Sequence, residues 1–344
     1  MNDLPAAGDD LTAFLDRNAS PDVARALAAL AAASIVAARR IRRGAFDGGL
    51  HGDAGSCGDS VAAKALDAFA HEAFVAGLRG AGVRGVVSEE RQEPVAVDAD
   101  GTLLVALDPL DGSSNIDANV TVGTVFSVLD APPGPFDAAH FLQPGTAQRA
   151  AGIVVYGLHV AFAFTVGRGV AVAALDPETE TWRIVASRLA IPAESSEFAI
   201  NCANTRHWPD PVQAYVADLL EGEDGPRGED FTLRWVGAMV AEAYRILIRG
   251  GVYLYPADAR EGYERGRLGL LTQANPVAFL VEQAGGAAID GYQRLLDVEP
   301  RSIHVRTPLV FGAREKVERI ARYYREEAFA LRAPLFGKRG LLRR

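Results

Sequence analysis

The chain has 344 residues, 49% of them hydrophobic, enough length and apolar surface for one large α/β unit or two subdomains. Its 44 acidic side chains outnumber 35 basic ones for a net charge of −9, which argues against nucleic acid or an anionic membrane as the default partner. Two cysteines, Cys57 and Cys202, lie far apart and outside any Cys-x-x-Cys spacing, so a disulfide scaffold and a cysteine-based zinc site are not expected and a reducing compartment is.

Ser20-Pro21-Asp22 is a helix-start signal, and residues 21–43 read as one alanine-rich helix. Its apolar run over 26–38 is too short to cross a bilayer, and its arginines follow the run where a secretory signal has them before it. A soluble, cytoplasmic chain is the expectation. Residues 44–60 contain six glycines and cannot keep regular structure; they form either a plain surface loop or a flap that orders over a ligand. Helical periodicity returns over 61–79, with Val61, Leu66, Phe69, Phe74 and Leu78 among polar positions. Strands follow at 85–88, 103–107, 120–129, 150–156, 160–166, 170–176 and 182–186. This predicts a large mixed or antiparallel sheet. Beyond residue 195 the pattern alternates. Strands are expected at 198–201, 252–255, 287–290 and 309–313, and helices at 211–220, 233–249, 275–283 and 315–330. A boundary between 190 and 198 divides the chain into halves, 1–195 and 196–344. The basic end "GKRGLLRR" reads as a solvated, frayed tail.

The stretch "VALDPLDGSSN", Val105 to Asn115, carries the chemistry. A continuously apolar strand, buried on both faces, ends in Asp108, and Pro109 stops its ladder. Ligand crevices open at such carboxyl ends. Asp108 and Asp111 are costly side by side unless a cation or basic groups neutralise them. Gly112 lets the backbone approach a ligand, while Ser113, Ser114 and Asn115 offer donors suited to phosphate oxygens. A second apolar strand ends in Glu89 and Glu90, so carboxylates from two strand ends could form a hard-oxygen metal site. Beside a phosphate-binding turn, that arrangement suits phosphoester hydrolysis. Asn201, Asn204, Arg206, Arg234, Tyr255 and Arg267 are candidate anion ligands in the second half. In "GGVYLYPAD", alternation puts the phenols of Tyr253 and Tyr255 on one strand face and core residues on the other.

The segment "DPLDGSSNID" at 108–117 resembles the signature of class I fructose-1,6-bisphosphatases, within the inositol monophosphatase-like sugar phosphatase superfamily. Further segments resemble that family in order: "KALDAFAHEAF" from 64, "VVSEE" from 86, "LQPG" from 142, "AAGIVVYG" from 150, "WVGAMVAEAYRIL" from 235, "GGVYLYPAD" from 250 and "NPVAFLVEQAGG" from 275. The resemblance implies an αβαβα sandwich, with a large mixed N-terminal sheet and a smaller α/β C-terminal half. It implies Mg²⁺-dependent removal of the 1-phosphate of fructose 1,6-bisphosphate, by two or more ions per site, with Mn²⁺ as a possible substitute. By likeness to the motif, Glu89, Asp108, the carbonyl of Leu110 and Asp111 ligate metal. Glu90, with Asp67, orients or deprotonates the attacking water. The turn Asp111, Gly112, Ser113, Ser114 holds the scissile phosphate. Asn201, Tyr255 and Arg267 resemble contacts to the sugar and its other phosphate. Arg234 resembles an arginine lent across a subunit interface, which implies a homotetramer. The glycine-rich segment falls at the family's mobile loop.

Two departures stand out. Gln273 occupies the place of a metal-ligating glutamate, and Gly269 that of a nearby basic residue. Gln273 can still offer a carbonyl oxygen, so a neutral ligand and weaker cation binding are expected. Thr102 and Leu103 stand where AMP-inhibited relatives carry a Lys-Tyr pair, so AMP inhibition through that site is not expected. Sedoheptulose 1,7-bisphosphate is the alternative substrate. A sugar-phosphate sensor without turnover is the alternative from another class, and the retained acids argue against it.

Overall fold

A computed structural model describes residues 8–47 and 61–325. Three helices form the first layer. The N-terminal helix α1 (Leu11–Asn18) was not foreseen from periodicity; Asp10 opens it by accepting the Thr12 N–H at 2.9 Å. Next come α2 (Pro21–Arg43), with Ser20 at its N-cap and proline in its first turn, and α3 (Val61–Gly77). By length and composition α2 could cross a membrane, but 56% of its apolar window is buried inside the molecule, as in a core helix. Residues 44–47 form a short 3-10 turn, and 48–60, the rest of the glycine-rich segment, lie outside the described residues.

Eight strands make the second layer: β1 (Val83–Ser88), β2 (Val95–Ala96), β3 (Leu103–Asp111), β4 (Val122–Asp130), β5 (Ala150–Tyr156), β6 (Val160–Thr165), β7 (Val170–Leu175) and β8 (Trp182–Leu189). Their order is β2-β1-β3-β4-β5-β6-β7-β8, with β1–β3 parallel and every other pair antiparallel, so the sheet is mixed as expected. One face carries Val105, Phe126, Phe162 and Trp182 against Leu27, Leu30 and Phe74 of the helical layer. The other presents Val125, Ile153 and Ala163 to a second pair of helices, α5 (Met239–Arg249) and α6 (Asn275–Gln283).

The chain reaches that third layer by way of α4 (Asp210–Leu220) and a second sheet. The sheet contains β9 (Glu197–Ala199), β10 (Thr232–Leu233), β11 (Val252–Tyr255), β13 (Ala287–Ile289) and β15 (Leu309–Gly312), ordered β10-β9-β11-β15-β13. A separate two-stranded ladder joins β12 (Leu268–Gly269) to β14 (Arg306–Thr307). Tyr253 and Phe311 face the α5–α6 layer, while Phe198, Leu254 and Val310 face α4 and the last helix, α7 (Arg314–Arg325). Helix, sheet, helix, sheet and helix alternate, giving the expected five-layer αβαβα sandwich.

Besides α1, two elements differ from expectation. Strand β3 does not stop at Pro109; it continues to Asp111 through a bulge opposite β4, where Asp108 pairs with Val125 and Asp111 with Gly123. The helix expected from residue 233 starts at Met239, because Thr232 and Leu233 pair with β9 and Gly237 takes φ +80°. Tyr253 and Tyr255 share one face of β11, as expected, and that face is covered too: Tyr253 is 2% exposed.

Candidate active site

Four chain segments converge on the end of β3. The bulge turns Asp108 and Asp111 inward, and both carboxylates are buried. Asp108 Oδ1 accepts the Leu110 N–H at 3.1 Å, an Asx-type contact that fixes the carboxylate against its own turn. Asp111 Oδ2 accepts the Val240 N–H at 2.7 Å, so a carboxylate of β3 sits at the N-terminus of α5, where backbone N–H groups and the helix dipole favour negative charge. Burial pushes the Asp108 pKa well above the usual carboxylate range, and the charges of Asp111 and Glu89 add to the rise. Burial raises Asp111 to about 6, against the pull of the Val240 N–H.

Gly112 follows with φ +80°, and a Cβ there would stand 2.5 Å from the Ala238 Cβ. The turn therefore packs backbone to backbone against the lead-in to α5. Ser113, Ser114 and Asn115 form one 3-10 turn, and the Asn115 amide donates to the Val236 carbonyl at 3.3 Å. This ties the turn to the same lead-in.

The fourth segment is a π-turn over 270–274 that runs into α6, and the sequence carried no signal for it. Its Gln273 donates Nε2 to Asp108 Oδ2 at 2.6 Å and toward Asp111 Oδ1 at 3.4 Å, while its Oε1 accepts the Gly269 N–H at 2.8 Å. Residue type alone leads to the expectation of a carbonyl ligand; here the amide nitrogen faces the carboxylates and the backbone N–H takes the oxygen. Glu89, just past β1, is likewise engaged, by Arg306 at 2.7 Å and by the Thr272 hydroxyl at 3.1 Å. It lies near enough to raise the Asp108 pKa but points elsewhere. Among the described residues, no three His, Cys, Asp or Glu side chains stand together as a group that could hold a metal ion. The donor chemistry still fits a hard cation, since the buried Asp108–Asp111 pair accepts neutral N–H donors and feels the like charges of Glu89 and Glu90.

Asp67 is buried on α3, one turn before His71, whose Nδ1 lies 3.0 Å from the Ser88 hydroxyl at the end of β1. Burial lowers the His71 pKa and favours the neutral ring. Glu90 is exposed in the following turn, and its N–H donates to the same hydroxyl at 3.3 Å. His71, one helical turn from Asp67, and the Glu90 N–H thus meet at the Ser88 hydroxyl.

The second-half candidates divide. Asn201, Asn204 and Tyr255 line one cleft with Arg260 and Tyr263. Arg267 reaches the rim of this group, donating to the Tyr263 hydroxyl at 2.5 Å, and both Arg260 and Arg267 lie over the Tyr263 ring, 4.0 and 4.6 Å from its centroid. Arg260 is paired with Asp258. Arg206 is not among the lining residues of this cleft; its Nε donates to His207. Trp235, Tyr253 and Tyr255 stack in sequence, with centroids 6.1 and 6.2 Å apart, and link the carboxylate end to the arginine cleft. Arg234 is half-exposed, 3.6 Å from Glu197, which also holds Arg245 and Arg249. Reading the sequence missed Thr272, Arg306, Trp235 and the Val240 N–H; only the neighbourhood of Trp235 to the candidate Arg234 pointed to any of them.

Two family models match consecutive parts of the chain: "Fructose-1-6-bisphosphatase, N-terminal domain" at residues 13–187 and "Fructose-1-6-bisphosphatase, C-terminal domain" at 191–325. The chain is 50% identical over 323 residues to the class 1 fructose-1,6-bisphosphatase of Paracoccus denitrificans, covering 94% of this chain and 96% of that one. To the protein of the same description from Azorhizobium caulinodans it is 48% identical over 324 residues, covering 91% and 98%. Among solved structures, Leishmania major fructose-1,6-bisphosphatase in holo form matches with a TM-score of 0.84 at 31% identity, covering 93% of this chain and all of that one.

Proposed function

We infer that this chain, which belongs to the class 1 fructose-1,6-bisphosphatase family, is a phosphoric monoester hydrolase that converts fructose 1,6-bisphosphate to fructose 6-phosphate and phosphate. The observation that carries the reading is the buried Asp108–Asp111 pair, which sits beside a glycine-led donor turn and which, among the described residues, no lysine or arginine pairs with.

Asp108, Asp111, the Leu110 carbonyl and Glu89 would hold the cation, magnesium or manganese. Such ions polarise phosphoryl oxygens and offset the charge that develops on them. The turn from Asp111 to Ser114 binds the 1-phosphate through backbone N–H and hydroxyl donors. Glu90 takes the proton of the attacking water, and Asp67 holds that water in line. The water oxygen bonds to phosphorus as the bond to the sugar oxygen breaks. Asn201, Tyr255 and Arg267 hold the sugar and its 6-phosphate. The 1–195 half carries the metal and the reacting phosphate, and the 196–344 half carries the rest of the substrate. Arg234 reaches into the site of a neighbouring subunit of a cytoplasmic homotetramer.

The test is phosphate release from fructose 1,6-bisphosphate, with sedoheptulose 1,7-bisphosphate in a parallel arm, with magnesium and with chelator. Activity with magnesium on the fructose substrate, abolished by chelator and by Asp108→Asn, is expected. Full activity in chelator overturns the cation assignment, and preference for the seven-carbon substrate overturns the substrate.

A further inference from the structure

We propose that Gln273 is a neutral clasp on the carboxylate pair, not a cation ligand, and that it sets how tightly this site takes a divalent cation. The inference rests on the reading of Asp108 and Asp111 as cation ligands.

An amide can face either way, and here the backbone decides. The Gly269 N–H donates to Gln273 Oε1 at 2.8 Å. Flipping the amide would set its N–H groups against that donor and its oxygen against two carboxylates, losing every hydrogen bond it makes. The two hydrogens on Nε2 therefore point at Asp108 Oδ2 and Asp111 Oδ1, 2.6 and 3.4 Å away. Those are the carboxylate oxygens that the Leu110 and Val240 N–H groups leave open. The π-turn holds the side chain there, buried, with its neighbour Thr272 donating to Glu89 Oε2 at 3.1 Å. Gly269 belongs to the same device: a Cβ on it would stand 2.9 Å from that Glu89 oxygen and 2.5 Å from the Thr272 hydroxyl. Thr272 and Gln273 thus offer neutral donors to three acids, Gly269 holds the amide by its oxygen, and Arg306 pairs with Glu89 alone of the three. A cation held by Asp108 and Asp111 would compete with the amide for those oxygens.

The ligand and clasp readings predict opposite effects of removing the amide. Mn²⁺ binding to the full-length protein, followed by the electron paramagnetic resonance of the free ion, gives affinity and sites per chain without turnover. Gln273→Leu, close in volume, is expected to bind Mn²⁺ several-fold tighter than the wild type. Gln273→Glu is expected to bind at least tenfold tighter or to gain a site. Binding by Gln273→Leu no tighter than the wild type overturns the clasp, as does a Gln273→Glu protein indistinguishable from wild type. Phosphate release by the wild type is measured alongside. If the wild type neither binds Mn²⁺ nor hydrolyses the substrate, the functional reading fails; if it does both and Gln273→Leu binds no tighter, only the clasp fails.

Discussion

Gly112→Ala tests the geometry of the phosphate-binding turn directly. The residue sits at φ +80°, and the added methyl would meet the Ala238 Cβ at 2.5 Å, closer than carbon atoms approach without one of them moving. A non-glycine residue in the left-handed region costs about 1–2 kcal/mol. Forcing a methyl into filled space adds about 1–3 kcal/mol, so the substitution should lower stability by roughly 2–5 kcal/mol. Urea unfolding, followed by tryptophan fluorescence, measures this. The turn can relieve the contact only by moving away from the lead-in to α5, which misplaces the donors of Ser113 and Ser114. A shift of that kind should reduce kcat/KM by about 100-fold. Adding Ala238→Gly removes the second methyl and should restore the packing part of the loss while leaving the cost of the left-handed backbone. A Gly112→Ala protein within about 0.5 kcal/mol of wild type, the range of an ordinary surface change, would refute the reasoning.

Glu242 is fully buried and accepts both the Val236 N–H at 2.7 Å and Arg245 at 2.9 Å; Glu242→Ala leaves both donors without it and should cost about 3–5 kcal/mol in urea unfolding. Glu197 is held below the usual carboxylate pKa chiefly by its hydrogen bond from Arg249 and then by Arg245, against the opposing effect of burial. With the folded pKa depressed, its contribution is complete above the unfolded value and is lost as pH falls through the folded one. The stability difference between wild type and Glu197→Gln should accordingly shrink in acid; a difference constant from neutral to acid pH contradicts the linkage. Arg267→Ala should raise KM for fructose 1,6-bisphosphate about tenfold with little change in kcat, as loss of uniform binding does. AMP at concentrations that inhibit sensitive relatives should leave activity unchanged, given Thr102 and Leu103 before β3; clear inhibition would show another route.

The local features of the fold were legible because they are written in consecutive residues. Ser20-Pro21 opened α2 as the cap signal required, and the unbroken apolar run before Asp108 became a strand buried on both faces. What periodicity could not show was pairing-dependent. Pro109 does stop an ordinary ladder, but β4 accommodates it in a bulge, with Thr124 donating its hydroxyl to the Pro109 carbonyl at 2.9 Å. The same limit applies to the site. Residue types at one strand end identified Asp108 and Asp111, yet the groups that answer them come from 129 to 165 positions away: Val240 to Asp111, Gln273 to Asp108. Arg306 lies still farther along the chain from Glu89, in no motif, and only the pairing of β12 with β14 brings it there. A carboxylate announces that something must neutralise it, because a buried charge is costly alone. Its partner carries no such mark, since an arginine or a glutamine is at home on any surface. The chemistry of this site therefore follows from sequence on the acidic side and from topology on the donor side, and Gln273 shows the consequence. Its substitution for a glutamate predicts a weak ligand by residue type alone, whereas the Gly269 N–H turns that amide end for end and makes it a competitor for the cation.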